Sequence, residues 1–353
     1  GSGFSIASYK NKLNWQTSIG YSQPTFREDL FLVRTVGNET YDQVTKEPYD
    51  PDNFRISGSM DYYLNDKNSI GIGASLNTRK STRIASSETI ISDENSVNTL
   101  FSENSFNRQR NNYNINPYYE YKSETDRLLI DFNYIDFVND NTNTLYDLAG
   151  STIPFTDRKY IQDGNYNIKT YSLDYTKTFS DNLKVSAGSR FADVATDNDL
   201  ESQILNDANN FKKIDSLSSQ FLIDETIFAV YSKVNAKFGD WSFSGGLRYE
   251  NSNTDGTSIF MKDGALTTEV QKRPIKKVFP SASISRKMTD VLGASLSYSY
   301  RIRRPSYSSL NAFQTFLDPY SAGEGNPNLT PSYTNNYQFN FTYEGQPFFT
   351  VGY

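Results

Sequence analysis

A chain of 353 residues that is 36% hydrophobic, with mean hydropathy -0.64 and net charge -6, lacks the continuous apolar runs that a large soluble core needs. It holds no stretch of the roughly 18 apolar residues of a membrane helix, and its acidity speaks against nucleic acid as a partner. Cysteine and histidine are absent, which removes disulfides, thiolate and imidazole metal sites, cysteine nucleophiles and the usual general base, yet 15% of the residues are aromatic, with 26 Tyr and 24 Phe.

Apolar and polar side chains alternate in segments of about nine to twelve residues, the period-2 signature of strands whose two faces meet different media. In chain order the alternation predicts about fourteen strands, near 3–9, 13–22, 53–64, 69–80, 108–122, 127–138, 166–179, 183–193, 224–238, 241–252, 277–287, 291–303, 333–344 and 347–353. The pair at 166–193 shows the pattern: Tyr171, Leu173, Tyr175 and Phe179 alternate with Ser172, Asp174, Thr176 and Thr178, and Leu183, Val185, Ala187 and Phe191 with Lys184, Ser186, Gly188 and Arg190. Within pairs the connections are short, such as Lys10-Asn11-Lys12, Ser180-Asp181-Asn182 and Gly239-Asp240, and use residues that tolerate turn geometry. Between pairs lie polar stretches of roughly 25 to 30 residues, which read as long loops.

One greasy face and one wet face imply an all-β fold, a transmembrane antiparallel up-and-down β-barrel with short periplasmic turns and long extracellular loops. Residues 1–353 are then part of a single barrel domain. With short turns in the periplasm, Gly1 lies on the outer side, and the last strand stops about seven residues after its turn, short of the nine to eleven needed to span. Further strands are expected beyond both ends, because an open sheet in lipid exposes unpaired backbone groups at several kcal/mol each. No cleavable leader is visible at Gly1-Ser2-Gly3, so an exported protein is expected here in mature or truncated form.

Several groups are candidates for contact with a solute. By parity, Asp131, Asp174, Arg190, Arg248, Glu250, Arg301 and Arg303 face the lumen, where they pair with one another or with a plug, or attract an anionic or carbonyl-rich solute. The aromatic residues of the loops, among them Tyr41, Phe106, Phe313, Phe316 and Tyr320, pack the loops together or stack on a ligand. Asp197-Asn198-Asp199-Leu200-Glu201 alternates oxygen ligands but lacks the glycine and closing glutamate of a calcium loop, and reads as a solvated loop with no metal. Neither G-x-S-x-G nor S-x-x-K is present, so no enzyme activity and no cofactor are expected.

After the predicted strand ending at Tyr300 comes Arg301-Ile302-Arg303-Arg304-Pro305, then Leu310-Asn311, then Gly325-Asn326-Pro327-Asn328-Leu329-Thr330-Pro331. Together with Gly246-Leu247-Arg248-Tyr249-Glu250 and Phe279-Pro280-Ser281, this set resembles the TonB-dependent receptor superfamily, and within it the outer membrane protein beta-barrel family. The resemblance covers about 224–345 closely. It implies a barrel of about 22 strands, of which about 14 are present, closed by a plug domain that this chain lacks along with the TonB box. It also implies active uptake of a scarce nutrient such as a metal chelate, peptide or glycan, energised by TonB, ExbB and ExbD through the plug, with outer-membrane lipid around the barrel and a surface lipoprotein as a possible partner. Physically, Pro305 and Pro327 fit where a strand ends, while Gly325, free to take positive φ, and Asn326 make a corner on the outer rim beside Arg304, Leu310, Asn311, Leu329 and Pro331. The alternatives are a self-contained passive porin or hydrophobic-solute channel of about fourteen strands, and a structural or adhesive barrel.

Overall fold

The computed structural model describes residues 1–311, 313–318 and 320–353 and, at 315–318 and 321, the backbone alone. The strands in chain order are β1 (Ser2–Lys10), β2 (Leu13–Ser22), β3 (Phe26–Val36), β4 (Glu39–Tyr49), β5 (Asp52–Asn65), β6 (Asn68–Ser92), β7 (Val97–Lys122), β8 (Asp126–Asp147), β9 (Arg158–Ser180), β10 (Leu183–Leu205), β11 (Phe211–Lys213), β12 (Ser219–Phe238), β13 (Trp241–Lys262), β14 (Ala265–Lys287), β15 (Leu292–Arg303), β16 (Thr315–Asp318), β17 (Ser321–Gly323), β18 (Ser332–Tyr343) and β19 (Gln346–Gly352). The wall runs β1, β2, β5 to β10, β12 to β15, β18 and β19, each antiparallel to the next. Every segment predicted from alternation is one of these wall strands. Among the described residues β1 pairs only with β2 and β19 only with β18, so the wall is an open sheet.

The outward face carries a band of exposed apolar side chains that includes Ile70, Ile72, Tyr171, Leu173, Phe191, Phe228, Val230, Leu247 and Leu296. Such a surface belongs in hydrocarbon. One wall strand breaks its ladder with Pro117, which has no N–H to give. Pairing lapses between Ile115↔Tyr134 and Tyr118↔Asp131, and the Asn116 side-chain amide donates instead to the Phe132 carbonyl at 2.8 Å.

The polar stretches between the pairs differ from the long loops expected. Residues 81–107 continue β6 and β7 in register up to Ser92↔Val97, and 253–276 continue β13 and β14 around the two-residue turn Asp263-Gly264. Within residues 23–52 lies the β3–β4 hairpin, paired from Phe26↔Tyr49 to Val36↔Glu39, which pairs through β4 onto the upper half of β6. The Asp197–Glu201 segment likewise lies within β10 and is not a loop.

The reason is visible along β10 and β12, where the sense of the alternation reverses. Low on β10 the apolar Phe191 faces out; higher up, Asp193, Asp197 and Asp199 take that face while Val194 and Leu200 are buried inside. On β12 the outward residues near the turn are Val230 and Val234, and at the far end the buried inward ones are Phe221 and Ile223. On these two strands water wets the outside of the ribbon above the lipid, and the apolar residues move to the inside; on β6 Ile84 and Ile90 stay on the outer face.

The lipid-facing assignment predicts an asymmetric cost of charge. Leu173→Arg is expected to lower stability in lipid vesicles by about 2–4 kcal/mol, and Ser172→Arg on the opposite face by clearly less. Equilibrium unfolding of the vesicle-inserted protein in urea measures both.

Candidate functional site

Beyond β15 the chain does not climb away from the barrel. Pro305 ends the ladder, and Ser306 caps a single turn of helix, α1 (Tyr307–Leu310), by accepting from the Ser309 amide at 3.1 Å. Leu310 and Phe313 join Tyr160, Leu200, Phe221 and Ile223 in a buried apolar cluster, with Tyr307 packed against it. The corner expected on the outer rim is therefore turned inward, against the inner face of β9, β10 and β12.

A polar latch holds it there. The Arg304 guanidinium reaches the Glu250 carboxylate, donates to Ser252 Oγ at 3.0 Å and lies 3.4 Å from Glu225 Oε1. Arg248 donates to Glu250 Oε2 at 2.8 and 3.1 Å. The Tyr307 hydroxyl donates to Glu225 Oε2 at 2.6 Å and Thr254 to Glu225 Oε1 at 2.8 Å. Glu225 and Glu250 are each 3% exposed, and ionised carboxylates persist at that depth only when cations and donors surround them. Two arginines against two carboxylates leave the latch neutral. Burial, and then the bond to Glu225, push the Tyr307 phenol well above its ordinary range, so it remains a donor.

The second half of the motif packs on the first. The Gly325 amide donates to the Asn311 carbonyl at 2.9 Å and the Asn326 amide to the Ser309 carbonyl at 2.7 Å. A Cβ on Gly325 would collide with the Asn311 carbonyl and lie 2.7 and 2.9 Å from those of Ser309 and Ser308. Its φ is not positive, so close approach of backbones, and not left-handed geometry, requires glycine there. Arg273 on β14 donates to the Pro327 and Leu329 carbonyls, tying the loop to the wall. Between this loop and the inner wall lies a polar cleft of about 670 Å³ lined by Asn139, Gln162, Tyr166 and Asn198 on the wall and by Ser309 and Asn326 on the loop. A second cavity, of about 440 Å³, lies between Phe313 and the upper ends of β10, β12 and β13.

Of the seven inward charges predicted, the structure brings together only Arg248 and Glu250. Asp131 accepts from Ser172, and Asp174 accepts from the Tyr231 hydroxyl at 2.7 Å, lower on the wall. Arg190, Arg301 and Arg303 have no hydrogen-bond or ion-pair partner among the described residues, and Arg301 and Arg303 are exposed. Tyr41 and Phe313 are buried in packing, and the Phe316 side chain lies outside the described residues. Sequence reading missed Glu225 and Tyr307, and also Arg79, Arg83, Arg108 and Arg110 on the inner faces of β6 and β7. The signal for those arginines was the register of the long hairpin, which sets Arg79 directly opposite Arg110.

The latch makes a specific prediction. Arg304→Met strands two buried carboxylates with Arg248 as the remaining guanidinium of the latch, and is expected to cost about 3 kcal/mol and to expose 304–332 to protease. Arg303→Met, one residue away, should leave melting temperature and proteolysis near those of the parent. Gly325→Ala should open the same segment to protease without altering any charge.

The model of the outer membrane protein beta-barrel family matches residues 119–353. No curated protein matches the chain. Among solved structures, the ferric-catecholate import receptor Fiu from E. coli K12, in its closed form, is similar at a TM-score of 0.57 and 12% identity, over 97% of this chain and 55% of that one. The unliganded ferric citrate transporter FecA is similar at a TM-score of 0.53 and 11% identity, over 97% of this chain and 48% of that one. The chain thus spans about half the length of these two solved structures. With its lipid-facing band, its antiparallel meander and a family match over well over half its length, this chain belongs to the outer membrane protein beta-barrel family and lies in the outer membrane.

Proposed function

We propose that this chain is part of the barrel wall of a TonB-dependent transporter, which takes up a scarce, bulky nutrient such as a metal chelate, peptide or glycan. The observation that carries the reading is the inward fold of the 304–331 loop, latched by Arg304 and Tyr307 onto Glu225 and Glu250, which builds a polar chamber on the outer side of the lumen. A chamber with one fixed wall and one latched wall suits capture of a solute before passage. The likeness in fold to a ferric-catecholate import receptor and a ferric citrate transporter supports the same reading. The open edges of β1 and β19 favour a wall completed by further strands over a self-contained channel of about fourteen, since unpaired edges in lipid are costly. In this reading a plug domain, outside this chain, closes the pore and couples to TonB, ExbB and ExbD.

Whole-cell uptake of radiolabelled ferric chelates, an oligopeptide and an oligosaccharide, in cells with and without the gene, tests this. Uptake of one class should fall when the gene is deleted and stop when a protonophore collapses the proton gradient. Gene-dependent uptake that continues at full rate without the gradient would point to the passive channel instead.

A further inference from the structure

The inner wall of β6 to β8 carries an unbalanced positive charge. Arg79 on β6 lies directly opposite Arg110 on β7, Arg108 lies two residues along β7 opposite Ser81, and Arg83 is opposite Phe106 on the same face. The inward parity is fixed by neighbours on the same strands: Ser87 and Thr89 on β6 are buried, while Ile70, Ile72 and Ile84 at the other parity are exposed. Among the described residues one carboxylate reaches this group, Glu47 on β4, and it pairs with Arg83, whose guanidinium also covers the Tyr49 ring at 4.7 Å. Arg110 donates to Asn139 Oδ1 at 2.9 Å, a neutral acceptor. Arg79 and Arg108 have no hydrogen-bond or ion-pair partner among the described residues.

Like charges directly across a sheet repel, and a guanidinium drawn out of water without a counter-charge is costly. The row above this pair repeats the deficit. Ser81, Arg108 and Asn141 sit side by side on β6, β7 and β8, and each has a buried polar atom without a partner: Ser81 Oγ, Arg108 Nε and Asn141 Oδ1. Three adjacent strands therefore present unfilled hydrogen-bonding capacity around two unneutralised guanidinium groups. Arg79 and Arg110 line a cavity of about 570 Å³, and Asn139, the partner of Arg110, borders the 670 Å³ cleft with Tyr166 and Asn198. The Tyr166 hydroxyl donates to Asn198 Oδ1 at 2.8 Å, which fixes that side of the cleft.

We propose that Arg79, Arg108 and Arg110 form an oxyanion-binding site on the lumen wall, and that the solute entering the chamber carries two or more carboxylate or phosphate groups. Planar guanidinium forks match both groups in bidentate geometry, and rigid strands hold three of them on one face. Ser81 supplies a further donor, and Asn141 turns its amide N–H toward the anion or accepts from a hydroxyl of the same solute. The assignment of the ligand as cargo rests on the transport reading; the binding site itself does not.

Titration of the full-length, detergent-solubilised protein with tricarballylate, pyrophosphate and the neutral trisaccharide maltotriose, followed by calorimetry at low salt, tests the site. The folded protein should bind one or both anions and not maltotriose, and added salt should weaken the binding. The preference between the anions identifies the chemical source. Arg79→Gln/Arg108→Gln/Arg110→Gln should weaken binding by about tenfold or more, with Arg108→Gln alone intermediate and readable if the triple variant folds poorly. Lys80→Gln, on the outer face of the same strand, should bind as the parent does. Absence of anion binding by the folded protein, or unchanged affinity in Arg108→Gln and the triple variant, would overturn the site. Neither measurement involves a proton gradient, so loss of the oxyanion site and loss of the transport reading are read separately.

Discussion

Hydrocarbon offers a backbone amide nothing to bond to, and that constraint organises the whole molecule. Each wall strand pairs laterally with its neighbours, and its two faces then meet two different media. Tyr171 and Leu173 point one way and Ser172 and Asp174 the other because a pleated strand leaves no third direction. Where the lipid ends, the pairing persists but the media change, and Val194, Leu200, Phe221 and Ile223 turn the apolar face inward. That reversal creates a dry patch inside the upper barrel on which a loop can pack.

The loop after β15 uses that patch. Leu310 and Phe313 supply the apolar contact, while Arg304 and Tyr307 meet the acids that β12 and β13 hold beside it. The two parts depend on one another. Without the loop, Glu225 and Glu250 would be left facing the lumen with Arg248 alone, and without the acids Arg304 would have no counter-charge so deep in the wall. Gly325 lets the returning chain lie flat on Ser308, Ser309 and Asn311, so the motif acts as one folded unit.

Much of the architecture could be read from alternation, because period 2 and the turn residues are local properties. The wall strands, their order and their orientation follow from residues such as Tyr171 to Asp174 without any knowledge of neighbours. The ribbons at 81–107 and 253–276 were hidden because the same period continues there with its polarity raised, which resembles a solvated loop. The motif around Pro305 and Gly325 was visible as a pattern, but its inward turn depends on Phe221, Ile223 and Glu225, some eighty residues earlier. Long-range register also hid the arginines, since the opposition of Arg79 and Arg110 exists only once the hairpin is zipped. Glycine at 325 was read as a matter of φ, whereas three carbonyls at close range require it.

The chain has no cysteine, so single cysteines can be placed anywhere and spin-labelled without background. The most direct test is Tyr171→Cys, Ser172→Cys, Leu173→Cys and Asp174→Cys, each nitroxide-labelled in lipid vesicles and probed by collision with oxygen and with a water-soluble nickel chelate. Labels at 171 and 173 should collide with oxygen, and those at 172 and 174 with the nickel chelate, in strict alternation. Equal accessibility at all four positions, or labels at 171 and 173 shielded from oxygen, would contradict a wall with lipid on one face and water on the other.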